Sequence, residues 1–190
     1  MIYIIYDTAI NGPYTLMLLQ NAYPVNQSLF KGTKDETLSD VAPYLFQVDD
    51  KLFLKINDPI ASLANIAVLE SAEKINDLLA HFQQFIYHKI NKQENYFRFW
   101  DARVLSRFLP AAPENKLIAF FEGINRFYVL DRENGTAKIF YLKQKKLQTE
   151  VSALIKIFNS AEEELVELQH VNSSQSESGE LKKTKRNFFN

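Results

Sequence analysis

Apolar positions in the first half of the chain fall into short runs punctuated by polar turns. Ile2 to Tyr6 is nearly continuous and closes at Asp7, the pattern of a strand buried on both faces. Asn11-Gly12-Pro13 then turns the chain and opens a helix, with Pro13 at its first position and Tyr14, Leu16, Met17, Leu18 and Leu19 inside it. Leu29 and Phe30 anchor a short segment, Thr33 to Asp40 is polar, and Pro43 to Val48 reads as the next strand, closed by Asp49-Asp50. Leu52, Phe53, Leu54 and Ile56 fit a strand or an irregular packed loop equally well, and Ile66 to Leu69 is a further strand. The clearest helix follows, capped by Ser71, with Ile75, Leu78, Leu79, Phe82, Phe85, Ile86 and Ile90 at helical spacing.

The densest aromatic run comes next. Tyr96 to Trp100 alternates, which puts Phe97 and Phe99 on one side and Tyr96, Arg98 and Trp100 on the other, and predicts a central strand. Asp101 can cap the following helix, whose apolar stripe is Val104, Leu105, Phe108 and Leu109 and whose end is set by Pro110. An arginine inside such a strand is costly unless an anion answers it, and Asp101 is the nearest candidate for Arg98. A second short helix starts at Pro113, buries Leu117, Ile118, Phe120 and Phe121, and ends at Gly123. Strands from Arg126 to Asp131 and Ala137 to Leu142 flank Asn134-Gly135, the strongest hairpin signal in the chain. Beyond it, Leu147, Val151, Leu154, Phe158, Ala161, Leu165 and Leu168 recur at spacings of four and three, the seam of a helix packing lengthwise on its own domain or on a partner.

These elements add up to an α+β (mixed α/β) fold: a mixed central β-sheet flanked by helices, followed by a β-hairpin and a long C-terminal helix. Residues 1–131 make the mixed α/β domain, and residues 132–170 carry the second hairpin strand and the C-terminal helix. Residues 171–190, poor in apolar side chains and rich in Ser, Lys and Glu, read as a disordered tail.

Composition narrows the function classes. The chain has 190 residues, 46% of them hydrophobic and 13% aromatic, ample for a buried core. A formal net charge of -1 argues against a dedicated nucleic-acid binder. The absence of cysteine removes disulfide and thiol chemistry and fits a reducing compartment. The apolar opening is too short for a secretory signal, and no run reaches the roughly 18 residues of a membrane span, so a cytoplasmic protein without a membrane span is expected.

Candidate chemistry is sparse. His81, His88 and His170 are the only histidines. On one helix His81 and His88 would be separated by a rise of about 10.5 Å, too far to share a metal ion, so no metal site and no cofactor is expected. The five glycines, at positions 12, 32, 123, 135 and 179, are too scattered to build a phosphate-cradling loop. What remains is carboxylate chemistry. Asp7, at the carboxyl end of the first strand, would have to join Asp101 as a metal or acid–base pair, the alternative being that it bonds backbone amides in the next turn. Arg103 and Arg107 stand one helical turn apart and present either a solvated face or a small cationic patch for an acidic partner.

One stretch carries a family resemblance. Phe97-Arg98-Phe99-Trp100-Asp101-Ala102-Arg103-Val104-Leu105, with Phe108-Leu109-Pro110 and Phe120-Phe121-Glu122-Gly123, resembles the domain of type VI secretion effector adaptors, or effector chaperones. Tyr3 to Asp7, Ser28-Leu29-Phe30-Lys31-Gly32 and Val41-Ala42-Pro43-Tyr44-Leu45 extend the likeness over about residues 1 to 130. Ala102 stands where the family usually has proline, a change that affects local rigidity at the first helical position. The resemblance implies a non-enzymatic adaptor that binds a toxic effector protein and loads it onto the VgrG spike protein. Asp7, Arg98, Asp101 and Arg103 are then a structural motif. Arg107 in the first domain, and the seam residues Leu147, Val151, Leu154, Phe158 and Leu165 in the 132–170 region, which would be the cargo-binding lobe, are candidate partner-binding positions. The rivals are an immunity or antitoxin-like binding protein and a carboxylate-based, metal-dependent enzyme using Asp7 and Asp101.

Overall fold

A computed structural model describes residues 1–49, 52, 66–90, 92–131, 134–153 and 157. In chain order the elements are β1 (Ile2–Asp7), α1 (Thr8–Asn11), α2 (Pro13–Ala22), β2 (Asn26–Ser28), a 3₁₀ turn (Ser39–Val41), β3 (Pro43–Val48), β4 (Ala67–Ser71) and α3 (Ile75–Ile86). They continue as β5 (Tyr87–Ile90), β6 (Gln93–Tyr96), α4 (Ala102–Ala111), α5 (Glu114–Phe120), β7 (Ile124–Asp131), β8 (Thr136–Lys143) and β9 (Lys146–Ala153). Seven strands form one sheet in the order β2-β3-β1-β4-β7-β8-β9, while β5 and β6 form a separate hairpin.

β1 lies at the heart of the sheet, and its period-two alternation feeds two cores. Tyr3 and Ile5 join Leu45, Leu69, Phe82, Phe99, Phe120 and Phe127 on one face. Ile4 and Tyr6 join Leu16, Leu19, Phe46, Val68 and Tyr128 on the other. Helices α3, α4 and α5 cover the first face and α2 the second, which is why an antiparallel strand can be apolar throughout. The buried tyrosines keep their hydroxyls satisfied, Tyr3 donating to the Glu73 carbonyl at 2.7 Å and Tyr6 to the Gly12 carbonyl at 2.8 Å.

Several expectations need correction. Among the described residues every pairing in the sheet is antiparallel, in place of the mixed sheet expected. Alternation of strand and helix misled because α3 runs into the separate β5–β6 hairpin instead of crossing to a parallel neighbour. Tyr96 to Trp100 is not a central strand. Only Tyr96 belongs to β6; the Phe97 N–H reaches the Ile86 carbonyl at 2.8 Å, and the chain then turns across the α3 face of the sheet. Phe97 and Phe99 do share a side, at 6.0 and 5.7 Å from Phe120. Ser71 ends β4 and donates to the Gly123 carbonyl at 2.5 Å, leaving Lys74 at the start of α3, and Ile90 lies in β5. Pro110 sits inside the last turn of α4, which runs one residue further.

Leu147 and Val151 belong to β9, not to a C-terminal helix. Leu154, Phe158, Leu165 and the tail from residue 171 lie outside the described residues. β8 and β9 extend the same sheet as β1, so the sheet crosses the boundary expected at residue 131. β8 and β9 join through Gln144 and Lys145, both in the left-handed region at φ 51° and 66°. That geometry suits asparagine and glycine. Gln144→Asn with Lys145→Gly is therefore expected to stabilise the protein by about 0.5–1 kcal/mol, read as a higher denaturation midpoint.

Candidate functional site

The arginine-bearing aromatic corner of the sequence becomes a compact charge cluster at the carboxyl end of β1. Asp7 closes that strand opposite Pro43 and is 1% exposed. Its carboxylate makes no cap to α1. It accepts instead from Nη2 of Arg98 at 2.6 Å. Asp101, 4% exposed, is held by an isolated bridge to Ile66 just before β4 and starts α4. Its Oδ1 accepts from the Arg103 backbone N–H at 2.9 Å and from Nε at 3.0 Å, and its Oδ2 accepts from Nη2 at 2.7 Å.

The structure thus brings together all four residues expected as a structural motif, but with different partners. Arg98 answers Asp7, and Arg103 answers Asp101 in a bidentate fork. The arginine is also not sealed in an apolar strand: the Arg98 and Arg103 side chains are 44% and 60% exposed, so only the carboxylates are removed from water. Burial pushes the Asp101 carboxyl up, yet the Arg103 hydrogen bonds and the charges of Arg103 and Arg98 hold it below the usual carboxylate range.

Two buried carboxylates, each tied to a guanidinium, make an ion-pair clamp joining the end of β1, the β6–α4 connection and the start of α4. A general acid must hold a proton near neutral pH, and a carboxyl held below its usual range does not. The titration of Asp101 has a definite sign. Its value is depressed in the folded state, so folding is favoured while the group is ionised and this contribution drains away as pH falls through and below about 4. Asp101→Asn is expected to lower stability at pH 7 and to flatten the acid limb of the stability-versus-pH curve, measured by thermal unfolding from pH 3 to 7.

The remaining candidates separate. Arg107 is exposed on α4, one turn beyond Arg103. Leu147 is half-buried against the α3-side core, and Val151 on β9 is 68% exposed. His81 and His88 fall on different elements, α3 and β5; His81 Nε2 lies 3.0 Å from the Phe120 carbonyl, to which it donates. Among the described residues no three His, Asp or Glu side chains gather where they could hold a metal ion. Among them, too, no helix is long and apolar enough to cross a membrane.

A second feature was not legible in the sequence. The Tyr87 and Tyr96 hydroxyls both donate to Asp35 Oδ2 at 2.8 Å, and Lys34 pairs with Glu94. These bonds fasten the β5–β6 hairpin to the loop before β3. The hydrogen bond to Asp35, with burial and the Asp35 charge, pushes the Tyr96 hydroxyl up to about 12. Beside the hairpin opens a groove of about 440 Å³ whose walls include Phe85, Phe97, Phe108 and Lys116. Its residues come from α3, the hairpin, α4 and α5, so no local pattern announces it.

The sequence matches one family, described as a domain of unknown function (DUF4123), over residues 2–118. No curated protein and no solved structure matches the chain at a significant level. The matched stretch runs from β1 into α5 and contains both ion pairs and every residue that lines the groove. Since it covers well over half of the 190 residues, the chain belongs to the DUF4123 family.

Proposed function

We propose that this protein is a type VI secretion effector adaptor, which binds a toxic effector in the producing cell and delivers it to the VgrG spike without transforming it chemically. The observation that carries the reading is the Arg98–Asp7 and Arg103–Asp101 clamp, formed from the segment that resembles the adaptor domain and lying inside the family match. Its carboxylates are buried and paired, which suits scaffolding better than proton transfer. Exposed apolar side chains support a docking role: Ile10, Tyr14 and Met17 on α1 and α2, with Leu38 before the 3₁₀ turn and Val41 at its end.

Co-expression with a VgrG spike protein and a candidate toxic effector tests it. An adaptor co-purifies with both, binds the toxin outside its toxic domain and is required for export. Neutralisation of the toxic domain with unaffected export would instead establish the immunity reading.

A further inference from the structure

The groove beside the β5–β6 hairpin has a composition that the ion-pair clamp does not explain. Five aromatic rings line it: Phe85, Tyr87, Tyr96, Phe97 and Phe108. Its floor is continuous with the core, since Phe97 meets Phe108 at 4.5 Å and Phe85 meets Phe120 at 5.2 Å between ring centroids. The rings are therefore held by the packed α3 face before anything binds, which spares an occupant the loss of entropy in ordering them. The Asp35 bonds to Tyr87 and Tyr96 fix the hairpin wall in the same way.

Charge selects the occupant. Among the described residues Lys116 is the only formally charged side chain in the lining, Gln84, His88 and Asn95 complete the polar part, and no carboxylate is present. A volume of about 440 Å³ lies within the roughly 300–1,000 Å³ typical of ligand clefts and takes one or two large side chains. We infer that this groove docks a peptide segment of a partner protein, with one or two large apolar anchors among the rings and a neighbouring carboxylate on Lys116. The inference rests on the adaptor reading for the partner's identity, though not for the chemistry of the groove. The chain's own Phe188-Phe189 is a poorer fit, because Lys182, Lys183, Lys185 and Arg186 precede it and would meet Lys116 with like charge.

The test is a titration of the ¹⁵N-labelled full chain with the capped peptide Glu-Asp-Phe-Leu-Glu-Asp and with its counterpart carrying lysine at the four acidic positions. The acidic peptide is expected to shift the amides of Gln84, His88, Asn95 and Lys116 and to bind about tenfold more tightly than the basic one. Lys116→Glu, an exposed change on α5, should reverse that preference. Asn95→Trp, which narrows the groove from the exposed face of β6, should abolish binding by either peptide. Shifts centred elsewhere, equal affinity for the two peptides, or the absence of saturable shifts would overturn the inference. So would movement of the groove amides in the unliganded chain on changing Phe188 and Phe189 to serine, which would make the tail the occupant. Failure to co-purify with toxin and spike sinks the adaptor reading alone, whereas failure of the peptide titration sinks the groove alone.

Discussion

Phe120→Ala is expected to destabilise the protein by about 3–5 kcal/mol, a large part of the stability of a domain this size. Phe120 is completely buried at the end of α5. Its ring lies 5.2 Å from Phe85, 5.5 Å from Phe108, 5.7 Å from Phe99 and 5.3 Å from Phe127, the last stacked at 17°. Those four neighbours belong to α3, α4, the β6–α4 connection and the sheet. Each is anchored by its own element, so none can slide in to refill the space, and the lost contacts add to the lost burial. Phe120→Leu keeps most of the volume and should lose only about 1 kcal/mol. Urea denaturation at constant slope measures both. Equal losses for the two variants would show that the site collapses freely and that the ring is not the keystone of this face.

Arg98→Ala is expected to lower stability by about 2 kcal/mol, less than the roughly 3–5 kcal/mol of breaking a fully buried pair, because the arginine side chain is 44% exposed. The loss arises mainly at the other partner. Asp7, 1% exposed in the intact protein, is left with a charge that no longer has its 2.6 Å hydrogen bond. Adding Asp7→Asn should therefore recover most of the stability, because it removes the stranded charge. A double-mutant cycle measures the coupling, and strict additivity would mean that Asp7 tolerates burial without the arginine.

The same residues mark how far local pattern carries. Asp101 reads as a helix cap from its position before Val104 and Leu105, and it is one, because capping depends only on neighbours two or three residues away. Its identity as the partner of Arg98 was read from proximity in sequence and is wrong. The carboxylate that meets Arg98 is 91 residues away, brought there by the docking of the β6–α4 connection over β1. Tyr96 to Trp100 failed for a related reason. Alternation reports an extended chain with one side buried, which is equally true of a segment lying across a sheet and of a strand within it.

The first two positions of the C-terminal seam show a third kind of failure. Leu147 and Val151 fit a helix because four-residue spacing is also an even number, and even spacings share one face of a strand. What separates the two is the turn at Gln144 and Lys145. That turn carries neither asparagine nor glycine, so its left-handed backbone left no mark in the residue types. By contrast the β7–β8 hairpin around Asn134-Gly135 was plain.

By itself the sequence determined the elements whose cause is local: the doubly apolar β1, the amphipathic α3, the cap at Asp101, the hairpin at Asn134-Gly135 and the motif of the family. Only the tertiary structure decided that the described strands pair antiparallel, that Arg98 clamps Asp7, and that Phe85, Phe97, Phe108 and Lys116 face one groove. The physical reason is that spacing and propensity act within a few residues, whereas ion-pair partners and grooves are set by which distant surfaces bury each other.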